Sequence, residues 1–259
     1  MLLLTTLFFF LICPALRHHP DRELLKGAMI AHRGLHGFSK DVPENSLRAF
    51  QAAVDKDYWI ENDIHLTKDG HVVVFHDDTL DRMCGVSGKV EEMTLAQLKT
   101  LYLAGTDQQI PTLEEYLDLI DGRVPLLIEF KCPTSKATSL CEAANRILEG
   151  YQGKYLIQSF YPPVLRWYRK HRKDICRGQL STPFYGEAFH RRLAGAFLFN
   201  FIGRPDFVSY EHTFYRNFFR RLVVKLGAGS LGWTFRNKKE LEARKADFQG
   251  YIFENFLAK

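Results

Sequence analysis

From residue 28 onward, short β-branched or aromatic runs alternate with segments whose apolar positions recur every three or four residues. The runs predict strands over 28–33, 59–66, 72–76, 126–131, 155–160, 175–180, 207–210, 231–235 and 250–253. Between most of them the pattern is helical. Leu47, Phe50 and Val54 share one helix face, with Asn45 or Ser46 placed to cap it. Thr112-Leu113-Glu114-Glu115 has the spacing of a capping box and opens a helix that buries Tyr116, Leu117 and Ile120. Thr94-Leu95-Ala96-Gln97 repeats that signal ahead of Leu98 and Leu101.

Strands that alternate with helices imply a parallel sheet, and about eight such units in one domain imply a closed TIM (β/α)8 barrel. The nine candidates exceed eight staves by one. The tight turn Thr67-Lys68-Asp69-Gly70 joins two of them, so one is expected to be a hairpin partner instead of a stave. Residues from about 78 to 110 are too many for a simple connection and read as a small insertion at the barrel mouth. The barrel domain is expected over 27–259.

Residues 2–16 are nearly unbroken apolar sequence, a separate pattern from the rest. As a helix they would reach only ~22 Å, against ~30 Å of bilayer hydrocarbon. No Lys or Arg precedes the run, as a cleaved signal would require, and bulky Ile12 disfavours lipoprotein processing at Cys13. The preferred expectation is that 1–16 is a single membrane anchor. A helix packed onto the domain is the plainer alternative. Arg17, Arg22 and Lys26 follow the run, which would leave the catalytic domain on the cytoplasmic side.

Composition narrows the partners modestly. Of 259 residues, 46% are hydrophobic and 25% charged, which suits a globular core. A net charge of +5 favours anionic substrates or membrane surfaces. It comes without the interleaved aromatic and basic pattern of a nucleic-acid binder. Five cysteines without a C-x-x-C pair argue against a disulfide framework or a thiolate zinc site, and fit a reducing compartment.

The chemistry lies in three pieces of the first half: Ala31-His32-Arg33-Gly34, Glu61-Asn62-Asp63 and Phe75-His76-Asp77. Each follows or lies in a predicted strand, and strand ends are the reactive face of a barrel. Glu61 and Asp63 are two apart on a strand, so they share a face. Glu129 adds a third carboxylate from a later strand, with Lys131 on its face. Three carboxylates with few nitrogen donors suit Ca2+ or Mg2+ better than Zn2+. Arg33 offers a planar fork for a phosphate. Two histidines, a cation site and an arginine are what cleavage of a phosphodiester needs.

These pieces, together with Pro43-Glu44-Asn45-Ser46, Thr67-Lys68-Asp69-Gly70, Ile110-Pro111-Thr112-Leu113-Glu114-Glu115 and Ile128-Glu129-Phe130-Lys131, resemble the glycerophosphodiester phosphodiesterases. Weaker pieces are Gln158-Ser159-Phe160 and Trp233-Thr234, and the likeness covers nearly all of residues 28–259. The resemblance implies a TIM barrel with an insertion near 78–110, His32 and His76 as the acid/base pair, and Glu61, Asp63 and Glu129 as ligands of one divalent cation. It further implies that Arg33 and Lys131 bind the phosphate, Glu44 orients the first histidine and the arginine, and Trp233 floors the substrate site. The family often ends its last strand in Thr-Asp with a nearby Pro. Here that stretch reads Ile252-Phe253-Glu254-Asn255-Phe256, and Ser46 stands for the family's Thr.

The activity expected from this resemblance is metal-dependent hydrolysis of a glycerophosphodiester to sn-glycerol 3-phosphate and an alcohol. One alternative is a lysophospholipase D-like action on lysophospholipids. Another is a catalytically inactive barrel that binds phosphodiesters at a membrane. The span 183–221 is unusually aromatic and basic, and is read either as helix core or as a cationic, greasy lip that includes Arg220 and Arg221.

Overall fold

The computed structural model describes residues 2–132 and 134–259. Among the described residues nine strands form: β1 (Met29–Ala31), β2 (Trp59–Leu66), β3 (Val72–Val74), β4 (Leu126–Phe130), β5 (Tyr155–Ser159), β6 (Arg177–Ser181), β7 (Phe207–Glu211), β8 (Gly229–Phe235) and β9 (Gly250–Phe253). Eight of them pair in parallel around a closed ring, β1-β2-β4-β5-β6-β7-β8-β9, which returns to β1. The extra strand is β3. It runs antiparallel to β2 behind the Thr67–Gly70 turn, with Ile64 opposite Val74 and Leu66 opposite Val72. Strand β1 stops two residues short of the expectation. Arg33 (φ 55°) and Gly34 (φ 80°) turn left-handed there, and a Cβ on Gly34 would meet the Ala49 backbone at 2.8 Å.

Helices wrap the ring: α1 (Leu2–Ile12), α2 (Leu47–Val54), α3 (Asp81–Cys84), α4 (Leu95–Leu98), α5 (Leu113–Ile120), α6 (Ala137–Leu148), α7 (Pro162–His171), α8 (Phe189–Gly195), α9 (Asn200–Gly203), α10 (Phe218–Lys225) and α11 (Lys238–Arg244). The sequence-level start signals hold. Ser46 Oγ accepts from the Ala49 amide at 3.2 Å, and both Thr94/Gln97 and Thr112/Glu115 form complete capping boxes. Helices α3 and α4 and the turns around them enclose a separate apolar cluster built on Val73, Phe75, Leu80, Val90, Leu98 and Ile110.

Inside the ring the side chains divide into two layers. The lower layer is apolar, with Ile30, Leu127, Leu156, Phe207, Leu231 and Ile252 in one cluster. A 3-10 turn, Pro20–Leu25, stoppers it from beneath: Leu25 is fully buried, and its carbonyl lies 2.7 Å from where a Cβ on Gly250 would stand. Polar groups from the next inward positions, including Glu61, Glu129 and Gln158, make the upper layer.

The hydrophobic N-terminal segment does form a helix, but not one that crosses a membrane. Eleven residues of α1 reach about 16 Å, and among the described residues no helix is long and apolar enough to span. Instead α1 docks on the barrel. Asn200 Nδ2 donates to the Ile12 carbonyl at 2.9 Å, and Arg204 donates to the carbonyls of Phe10 and Cys13 at 2.9 and 2.7 Å. The greasy-lip reading also needs correction at Arg220. That side chain is buried, stacked 4.2 Å over the Phe248 ring and bonded to the Asp247 carbonyl, so only Arg221 of the pair faces outward.

Candidate functional site

The site forms where the left-handed turn after β1 meets the middle of β2. The Arg33 amide donates to Glu61 Oε2 at 3.1 Å, and the Asn45 amide donates back to the Arg33 carbonyl at 2.9 Å. Asn45 Nδ2 then reaches Asp63 Oδ2 at 2.9 Å. These bonds tie the Pro43-Glu44-Asn45-Ser46 segment to the carboxylates of β2. Glu61 and Asp63 lie at the upper end of the stave pairing, just past the last β1 pair (Ala31 with Ile60) and just short of the last β4 pair (Ile64 with Phe130). They occupy the third and fifth places of an eight-residue strand, and the register sets Asp63 beside Glu129. His76 is not on a stave but follows the hairpin strand β3. The hairpin carries the chain back down, so that the Phe75 amide donates to the Asp63 carbonyl at 3.0 Å and His76 comes level with the carboxylates.

Seven of the nine residues singled out in the sequence line one cavity of about 170 Å³: His32, Arg33, Glu61, His76, Glu129, Lys131 and Trp233. Asp63 lies buried beneath it, and Glu44 sits behind Arg33, accepting its Nη1–H at 2.7 Å. Trp233 packs edge-on against Phe160, with ring centroids 6.0 Å apart.

Ligand oxygens of Glu61, Asp63 and Glu129 all come within 4.8 Å of one another. Among the described residues, two side-chain cations, Lys131 and Arg33, pair with these three buried carboxylates. Lys131 Nζ lies 2.7 Å from Glu129 and 3.3 Å from Asp63, and Arg33 Nε lies 3.6 Å from Asp63. The shortage of positive charge falls on Glu61. Burial first, then the neighbouring Asp63 and Glu129 charges, push its pKa well above the usual carboxylate range. Burial also works to raise Asp63, but Lys131, His76 and Arg33 outweigh it and hold that acid low. A hard divalent cation fits this set: all-oxygen donors, buried, and short of one or two positive charges.

Each histidine is held by a carboxylate that an arginine holds in turn. His32 Nδ1 bonds Glu254 Oε2 at 2.6 Å, and Arg236 Nε donates to Glu254 Oε1 at 2.9 Å. His76 Nδ1 bonds Asp77 Oδ1 at 2.6 Å, and Arg82 donates to both oxygens of Asp77 at 2.6 and 3.0 Å. With Nδ1 committed in both rings, Nε2 is the nitrogen left for the cavity that both rings line. Burial lowers the His32 pKa to about 4 in spite of the Glu254 bond. For Glu254, burial is outweighed by the His32 bond and the Arg236 charge, which hold it at about 2. Arg82 also grips Glu44 at 2.6 and 3.0 Å, linking the His76 arm to the Arg33 arm.

Sequence reasoning gave no role to Asp77, Arg82, Arg236 or Glu254. Asp77 had a signal in its adjacency to His76. Glu254 had one in falling where a carboxylate ends the last strand of similar proteins. The arginines had none, since arginine in a short helix or a loop reads as surface charge.

Residues 32–255 match the sequence model of the Glycerophosphoryl diester phosphodiesterase family. A glycerophosphodiester phosphodiesterase of Caldanaerobacter subterraneus is 33% identical over 247 residues, covering 89% of this chain and 95% of its own. Among solved structures, an Oleispira antarctica phosphodiesterase in complex with the product sn-glycerol-3-phosphate shares the fold with TM-score 0.74 at 24% identity, over 90% of this chain and 94% of that one. The glycerophosphodiester phosphodiesterase of Thermotoga maritima superposes with TM-score 0.68 at 23% identity, over 88% and 94%. With the match running through both histidines, all three clustered carboxylates and Glu254, this chain belongs to the glycerophosphoryl diester phosphodiesterase family and is a phosphoric diester hydrolase.

Proposed function

We propose that the protein hydrolyses glycerophosphodiesters to sn-glycerol 3-phosphate and an alcohol, with His32 and His76 as the acid/base pair. The observation that carries this reading is the placement of two carboxylate-oriented imidazoles on one cavity, with Arg33, Lys131 and three clustered carboxylates between them. A divalent cation such as Ca2+ or Mg2+, held by Glu61, Asp63 and Glu129, would supply Lewis-acid polarisation of the phosphate. Arg33 and Lys131 bind the non-bridging oxygens, and Glu44 holds the Arg33 fork in place. One imidazole takes a proton from the attacking oxygen and the other delivers one to the departing alcohol. The carboxylate on each Nδ1 fixes the tautomer that allows this and stabilises the imidazolium that forms. Trp233 gives the glycerol or head group an apolar floor.

A second reading, in which lysophospholipids are the substrates, is favoured by a neighbouring cavity of about 700 Å³. It shares His76 and Lys131 with the first and is lined by Phe160, Tyr161, Phe184 and Phe199, a surface suited to an acyl chain. The full chain incubated with glycerophosphocholine, and separately with lysophosphatidylcholine, under Ca2+, Mg2+ or EDTA, tests both readings. Cation-dependent release of sn-glycerol 3-phosphate is expected. Lysophosphatidic acid as the sole product would move the assignment to the second reading, and equal turnover in EDTA would remove the cation from it.

A further inference from the structure

Six of the most exposed large apolar side chains lie in three segments that meet at one edge. Leu2, Leu3, Leu4, Tyr185, Phe189 and Phe218 are between 66% and 84% exposed. Ring contacts join the segments that carry them. Phe8 of α1 packs against Phe219 of α10 with centroids 6.5 Å apart, and Tyr185 packs against Phe214, just before α10, at 5.6 Å. A groove of about 270 Å³ between the 183–198 segment and Phe219 completes the edge. This edge adjoins the catalytic mouth, because Phe184, Arg191 and Phe199 of the same stretch wall the 700 Å³ cavity that reaches His76 and Lys131.

Charge is sorted in the same way. Residues 1–20, 183–205 and 212–226 hold eight Arg and Lys against one acid, Glu187, which pairs with Arg191 at 3.2 Å, in a chain with 30 acidic residues. Arg192, Arg216 and Arg221 are exposed among the apolar groups. A contiguous apolar patch ringed by cations matches a bilayer surface, with its apolar boundary and phosphate headgroups, in both polarity and charge.

We propose that this edge, formed by α1 and the leading residues of α8 and α10, rests on a lipid surface bearing anionic headgroups, so that the catalytic mouth opens at that surface. The helix α1 lies in the interface as one part of the patch and does not cross it. Binding of this kind needs no feature of the hydrolytic chemistry, so its failure is read separately from that of the reaction.

The test is co-sedimentation of the full chain with vesicles of phosphatidylcholine alone and of phosphatidylcholine mixed with phosphatidylglycerol. Turnover of soluble glycerophosphocholine is measured alongside. Binding to the mixed vesicles is expected to exceed that to the neutral ones and to weaken with salt. The pairs Phe189→Glu with Phe218→Glu, and Arg192→Glu with Arg221→Glu, should each cut it at least about tenfold while soluble turnover holds. Equal or absent binding to the two vesicle types would overturn the proposal. So would binding that Leu3→Glu abolishes and both pairs leave intact, since that places the attachment in the N-terminal segment alone.

Discussion

The two histidine arms of the site have the same chemistry and opposite construction. His32 takes its carboxylate from Glu254, 222 residues away, across the seam where β1 pairs with β9. His76 takes its carboxylate from the next residue, and its arginine from α3, five residues beyond that carboxylate. One imidazole is oriented only when the barrel closes, the other by a turn that needs little of the barrel. The first is also the more enclosed, at 16% side-chain exposure against 29%. Precision at His32 is thus a property of the whole fold, while precision at His76 is a property of one hairpin and one short helix.

The largest effects should come from removing either ring. His32→Ala and His76→Ala should each lower kcat by about 10²–10⁴-fold, with the thermal unfolding midpoint little changed at His76. Near-normal turnover in either variant would break the pairing of the two arms. Next, Glu61→Gln between them should weaken Ca2+ affinity at least about a hundredfold by calorimetry. In the unaltered protein that affinity should rise with pH, because the cation competes with the proton that the raised pKa of Glu61 retains.

The comparison itself is sharpened by the carboxylates. Glu254→Gln should cost roughly 10²-fold in kcat and lower the melting temperature, since it removes a bond across the closing seam. Asp77→Asn should cost about tenfold with the melting temperature held. Equal losses in both properties would erase the distinction between global and local support. The smallest effect is on stability in mild acid. His32 has a folded pKa near 4, against 6.5 for the free side chain, so the unfolded chain binds more protons between those values. Stability should therefore fall as pH drops from about 6.5 towards 4, and the fall should be shallower in His32→Gln by urea denaturation.

Much of this was legible along the chain because the relevant rules are local. Period-two spacing put Glu61 and Asp63 on one face, and capping boxes marked α4 and α5. The surplus ninth strand correctly signalled a hairpin, and β3 proved to be it. What stayed hidden depends on closure or on depth. Glu254 gains its meaning only when β9 reaches β1. Arg220 reads as one half of a basic pair, yet it is drawn inward over Phe248 while Arg221 is not.

The stopper beneath the barrel fixes where the chain can be cut. Residues before Pro14 meet the barrel from outside. From Ala15, whose amide donates to the Pro205 carbonyl at 2.9 Å, the chain passes under the staves. His19 bonds the Asp174 carbonyl at 3.0 Å, and the Gly27 amide bonds the Gln249 carbonyl at 2.7 Å. Trimming within α1 leaves that closure whole. A fragment that begins at residue 22 loses the Ala15 and His19 bonds and the first two residues of the Pro20–Leu25 turn, and leaves Leu25 and the Gly27 amide alone to close the base of the apolar layer.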